Sequence, residues 1–201
     1  MGGISFIASG VLFFLKYLLD IMAGPPSSSG AEILTWTATA KLPLAIGNEV
    51  LFFAAMFLVP AVIALYHHLA GTEKTKAAVG CGIFAAAIPV LLVLDIVQGR
   101  LIYPVYGILA KTPAAAELVV GVYIGGLHAV GIMLGVATIV LSLAMKRGGF
   151  GGNIAYLGMA AGVFDFIGAY PDSIGPVLVL VSQILFAAWF IAVGLKLYRM
   201  P

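Results

Sequence analysis

The chain is poor in charge. Only 9% of its 201 residues are Asp, Glu, Lys or Arg, against about 25% in an ordinary soluble domain. A soluble fold of this size exposes too much surface to be covered by so few charges. The scarcity excludes a soluble enzyme, a nucleic-acid-binding domain and a disordered chain. Cysteine is nearly missing as well. Cys81 is the single one and lies inside an apolar run, so one chain offers no disulfide framework and no thiolate metal site. Three histidines, His67, His68 and His128, are too few for a di-haem bundle. The formal charge of +2 is too small to call for an anionic partner such as nucleic acid.

What the chain has in excess is apolar surface, at 63% of residues, together with 25 glycines. Small residues let membrane helices approach closely. A spanning helix needs about 20 mostly apolar residues, and six stretches qualify: 4–23, 46–69, 77–98, 116–144, 153–170 and 176–197. The expectation is an all-α, polytopic transmembrane bundle forming one domain over 1–201, at home in the cell membrane as a multi-pass protein. Lys16 and Asp20 lie within the first stretch, and no basic residue precedes its apolar run, so it reads as a retained helix rather than a cleaved leader. Pro60 and Pro89 are expected to kink their helices.

Orientation follows from lysine and arginine. With the N-terminus inside, Lys74, Lys76, Lys146, Arg147, Lys196 and Arg199 are cytoplasmic, and Lys41, Arg100 and Lys111 are outside. Both termini are therefore expected in the cytoplasm. The connection 24–45 is a long outer one. It opens with Gly-Pro-Pro-Ser-Ser-Ser-Gly, a helix stop followed by turn formers. Its second half, with Trp36 and alternating threonines, suits a short interfacial element.

The acids are distributed unevenly. On this topology Asp20, Glu32, Glu49, Asp95, Glu117, Asp165 and Asp172 fall on the outer side, and only Glu73 is cytoplasmic. An ionised group near the bilayer centre costs roughly 2.5–3.5 kcal/mol on insertion scales, so it turns towards partners or water. Lys16 and Asp20 are four apart on one helical face and suited to pairing. Asp165 follows Gly158 and Gly162 on a small-residue face. Glu117, Gly121, Gly125 and His128 share a stripe. The candidate ligand- or ion-binding residues are Asp20, Glu49, Asp95, Glu117 and Asp165, with His128 deeper and Gln183 at similar depth. Two readings of these groups compete. They are interfacial residues and ion pairs that fix packing, or they converge on an outward-facing water-filled cavity that takes a proton, a cation or a polar ligand.

The second reading leads to a small-ligand or ion-coupled binding or transport protein. One alternative is a non-catalytic accessory subunit packed against membrane partners or further copies of itself. Another is a metal-dependent membrane enzyme using His128 with carboxylates, although no HxxxH, HxxE or ExxH spacing surrounds them. No catalytic constellation and no cofactor motif is legible. The glycine-rich 148–152 segment follows no strand and precedes no P-loop lysine.

Three stretches carry a resemblance: NEVLFFAAMFLVPAVIALYHHL from Asn48, AMKRGGFGGNIAYLGMAAGVFD from Ala144 and FAAWFIAVGLKLYRM from Phe186. Together they resemble an uncharacterised family of six-helix prokaryotic integral membrane proteins, a domain of unknown function. The resemblance implies an acid opening the second helix, a Gly-Leu-x-Leu-Tyr-Arg ending and six spans. It implies no activity.

Overall fold

A computed structural model describes residues 1–200, the side chain of Asp172 excepted. That acid, counted above among the outer ones, thus lies outside the described side chains. The described chain is all-helical: α1 Gly2–Ala23, α2 Gly30–Thr39, α3 Lys41–Ile102, α4 Pro113–Met145, α5 Gly152–Gly168 and α6 Pro171–Arg199. Of these, α1, α3, α4 and the 173–199 part of α6 are long and apolar enough to cross a membrane.

Local chemistry sets the ends. α1 stops at Gly24, whose φ of 74° no side chain favours, ahead of Pro25 and Pro26. Ser29 caps α2 by accepting the Glu32 N–H, and Thr112 caps α4 by accepting the Ala115 N–H, with Pro113 in the first turn. The second half of the 24–45 connection is thus a real helix.

α3 has 62 residues but is not one rod. Its dihedrals leave the helical region at Glu73, and they stay helical through Pro60 and Pro89. The break therefore falls in the polar segment between the apolar stretches 46–69 and 77–98, while Pro60 and Pro89 sit inside continuous helix. The two arms, 41–72 and 74–102, fold back on each other. Tyr103 Oη donates to the Ala45 carbonyl at 2.9 Å across 58 residues, which in a straight helix would be about 87 Å apart. The turn between the arms, expected over 71–76, has shrunk to a single non-helical residue.

Packing follows the small residues. A Cβ on Gly3 would lie 2.5 Å from the Gly194 carbonyl, and one on Gly194 would lie 2.6 Å from that of Gly3, so α1 and α6 touch backbone to backbone. α4 and α5 do the same through Gly135 and Gly162. The centre is aromatic. Phe6, Phe84, Trp189 and Phe190 are fully buried, with Phe84 stacked on Trp189 at 6.4 Å between centroids. Large apolar side chains such as Phe52, Phe53, Val93, Ile96, Leu118 and Val177 stand on the perimeter. Such a surface is stable against hydrocarbon, not water.

Gly3 meets the backbone of Tyr198, and Gly148 meets Leu69. Arg147 pairs with Glu73. Both chain ends and the two polar turns are therefore not spread at random: Met1 and Arg199 share one end of the α1–α6 pair, and Glu73 and Arg147 are joined by an ion pair.

Candidate functional site

α5 is short, and its shortness shapes the molecule. Seventeen residues rise only about 25 Å, less than the roughly 30 Å hydrocarbon core of a bilayer. Its last turn is fastened midway along α4. His128 Nδ1 lies 2.6 Å from the Ala169 carbonyl oxygen, and its ring meets Tyr170 edge-on at 4.7 Å. Beyond that level α5 no longer covers α4. There Gly121 and Gly125 of α4 have no neighbour within 4 Å of where a Cβ would stand.

Next to this uncovered stretch lies a cavity of about 490 Å³. Its walls come from the end of α1 (Tyr17, Asp20, Ile21), the α1–α2 connection, Trp36 of α2, Leu44, Gln98 and Leu101 of α3, Val120, Tyr123 and Ile124 of α4, and Pro176 and Val179 of α6. The lining is mostly apolar, as in most small-molecule sites. α2 closes one side. Trp36 Nε1 donates to the Ala23 and Gly24 carbonyls at 2.9 and 3.2 Å. At its other end, the Gly30 N–H donates to Glu117 Oε1 at 2.6 Å. A carboxylate at a helix N-terminus meets both an orphan donor and the positive end of the dipole.

Asp20 is the acid on the cavity wall. It pairs with Lys16, one turn back on α1, whose side chain is only 7% exposed against 44% for Asp20. Lys16 Nζ also stands 5.7 Å from the centroid of the Tyr123 ring. Behind the wall is a second polar group. Asp95 is buried beside Asn48, Glu49 and Lys16. Asn48 Oδ1, Asp95 Oδ1 and Gln98 Oε1 are all enclosed without a hydrogen-bond partner. Glu49 itself faces outwards next to exposed Phe52 and Phe53.

The sequence-predicted residues thus separate into three places. Asp20 and Asp95 lie around Lys16, between α1 and the second arm of α3, with Glu49 beside Asp95 on the outward side. Asp165 is buried elsewhere, between α5 and Ser182 of α6, and Gln183 is half-buried beside that serine. Glu117 and His128 each hold a backbone: the first anchors α2 and the second the end of α5. The stripe they share with Gly121 and Gly125 is real, but it faces the uncovered stretch rather than a ring of acids.

Sequence reasoning missed Asn48, Gln98, Tyr123 and Trp36 as parts of one site. In the sequence Asn48 and Gln98 are single amides in apolar helices, and only their similar depth links them. Tyr123 had no signal at all, since one tyrosine in an apolar helix reads as core. Among the described residues, no three His, Cys, Asp or Glu side chains are placed to hold a metal ion. Comparison with protein-family models, with curated proteins and with solved structures finds no match.

Proposed function

We propose that this chain is a six-span membrane protein that binds a small, mostly apolar molecule with a hydrogen-donating or cationic head in the cavity beside Asp20. The hinge at Glu73 turns α3 into two spans, and α5, whose 17 residues fall short of the full hydrocarbon thickness, counts as the sixth with the bilayer thinned around it, in keeping with the family the sequence resembles. Lys74, Lys76, Lys146 and Arg147 cluster around the Glu73 turn, which supports a cytoplasmic position for it and for both termini. The cavity then opens in the outer half of the bilayer, beside the part of α4 that α5 leaves bare.

The observation that carries this reading is the make-up of the cavity: apolar walls with one half-exposed carboxylate, already held in place by Lys16. Apolar walls supply affinity for a hydrocarbon body. Asp20 supplies the acceptor that selects the head, and its partner Lys16 holds it in place. Glu117, through α2, and His128, through α5, set the cavity's edges without touching its contents. Whether the bound molecule is only held or is carried across, the same cavity is the place of binding.

Trp36 on the cavity wall reports occupancy. An alkylamine bearing a terminal bromine should quench its fluorescence saturably in detergent-solubilised protein. Trp36→Phe should remove the saturable component, and Asp20→Asn should weaken it. Quenching that rises linearly with no saturation, or that survives in Trp36→Phe, would show that the probe partitions into detergent and not into the cavity.

A further inference from the structure

Three buried oxygens behind the cavity wall, on Asn48, Asp95 and Gln98, have no hydrogen-bond partner, although the Asn48 amide lies beside the Asp95 carboxyl. Asp95, Gln98 and Gly99 are spaced i, i+3 and i+4 on the second arm of α3, so they share a face. Asn48 of the first arm lies against that face. Its Oδ1 and Nδ2 are 3.8 and 3.9 Å from where a Gly99 Cβ would stand. Asn48, Asp95 and Gln98 are 6%, 5% and 3% exposed. Asn48 Oδ1, Asp95 Oδ1 and Gln98 Oε1 all lack a hydrogen-bond partner.

Buried polar atoms are normally satisfied, and a set of orphans in one place calls for a specific partner. Here all three are oxygens. The charges recorded around Asp95 are Glu49 and Lys16, and Lys16 is already committed to Asp20. Two acids with no free base leave the group in need of positive charge. A proton on Asp95 makes one donor and satisfies one neighbouring amide oxygen, leaving the other unmet. A hard cation accepts all three oxygens at once. One carboxylate with two amide oxygens is too little charge for a dehydrated divalent ion but suits a monovalent one. Neutral carbonyl oxygens, there from unwound backbone, also coordinate sodium in membrane carriers.

From this geometry we infer a sodium site formed by Asp95, Asn48 and Gln98 between the two arms of α3. Gln98 belongs to both places, because the same side chain forms part of the cavity wall. Sodium held by its Oε1 fixes the wall against which a ligand packs. The site therefore deepens the proposed function by naming the ion in an ion-coupled binder, while standing on its own residues.

The test uses the full-length chain in mild detergent at mildly alkaline pH. Thermal unfolding is followed while sodium chloride replaces choline chloride at constant ionic strength. The midpoint is expected to rise with sodium and to saturate, as linkage requires for an ion that binds only the folded state. Asp95→Asn and Gln98→Leu should each lower the apparent sodium affinity by at least about tenfold while unfolding cooperatively in choline. Should Asp95→Asn fail to fold, Gln98→Leu and Asn48→Leu carry the comparison. Equal midpoints in both salts, or an undiminished sodium response in the variants, overturn the site. So does a response to pH alone in choline that Asp95→Asn removes. The Trp36 quenching titration, repeated in both salts, separates the two proposals. Saturable quenching with a sodium-blind midpoint leaves the cavity and removes the ion, and the reverse pattern removes the cavity and leaves the ion.

Discussion

Glu117 Oε1 accepts the backbone N–H of Gly30 at 2.6 Å, across 87 residues of chain. One carboxylate on α4 thereby supplies the N-terminal anchor of α2, the helix that closes one side of the cavity. Gly30 makes the contact possible, since a Cβ there would stand 2.2 Å from the Pro113 carbonyl oxygen.

Glu117→Ala should therefore act on α2 and not on the bundle. Loss of a capping carboxylate costs about 1 kcal/mol, enough to free a ten-residue helix that is marginal alone. Amide exchange over 30–39 is expected to accelerate and Trp36 emission to shift red, with the main unfolding midpoint nearly unchanged. Glu117→Gln, which keeps an acceptor, should lie between wild type and alanine. Unaltered exchange in both variants would contradict the anchoring role.

The pair Lys16–Asp20 should respond asymmetrically. Lys16 is the buried partner and Asp20 the half-exposed one. Removing Asp20 leaves the ammonium buried against the Tyr123 ring without its ion-pair partner, a loss of about 3 kcal/mol. Removing Lys16 leaves a carboxylate that reaches the cavity, and costs less. Thermal unfolding of Asp20→Asn and Lys16→Met should show this order, and Lys16→Met with Asp20→Asn together should recover part of the larger loss. The opposite order would mean that Asp20, not Lys16, is the more confined charge.

Close glycine crossings make a sharp contrast with open ones. Gly194→Ala puts a methyl 2.6 Å from the Gly3 carbonyl oxygen and should destabilise by about 1–3 kcal/mol as α1 and α6 are pushed apart. Gly121→Ala meets nothing within 4 Å and should be neutral or slightly stabilising through helix propensity. Unfolding midpoints of the two single variants check both signs.

The Glu73 turn should give the protein an acid-sensitive contact. Glu73 accepts from Lys76 at 2.8 Å and from Arg147 at 3.3 Å. The hydrogen bond from Lys76, then the charges of Lys76 and Arg147, hold its carboxyl below the ordinary range. A carboxyl with a depressed folded-state pKa contributes stability above its unfolded value, and the contribution disappears as pH falls through the folded one. The midpoint of wild type should therefore drop more than that of Glu73→Gln as the solution is acidified from pH about 5 downwards. Parallel curves would show that the turn is held by backbone alone.

The helices were legible because their cause is local. Lipid compatibility depends on composition over about 20 residues, and caps such as Ser29, Thr112 and Gly24 depend on a few neighbours. The six apolar stretches accordingly match helical segments to within a few residues, apart from the turn at Glu73, where the helix runs on almost to the hinge. The inward turn of Asp95 and Asp165 also follows from a one-body cost, the penalty for placing charge against hydrocarbon.

What pairs with what was decided only by the fold. From sequence, Asp95 and Asp165 are equivalent acids within apolar helices; in space one lies beside Asn48 and Glu49 and the other beside Ser182. Glu117 and His128, read from sequence as site residues, hydrogen-bond to Gly30 and Ala169, main-chain atoms that no side-chain pattern reveals. The cavity has the same origin. It arises where α5 ends halfway along α4, a mismatch between two helix lengths that becomes space only when the two are packed side by side. Hydropathy and capping act along the chain and can be read from it, whereas distance between helices is settled by contacts remote in sequence.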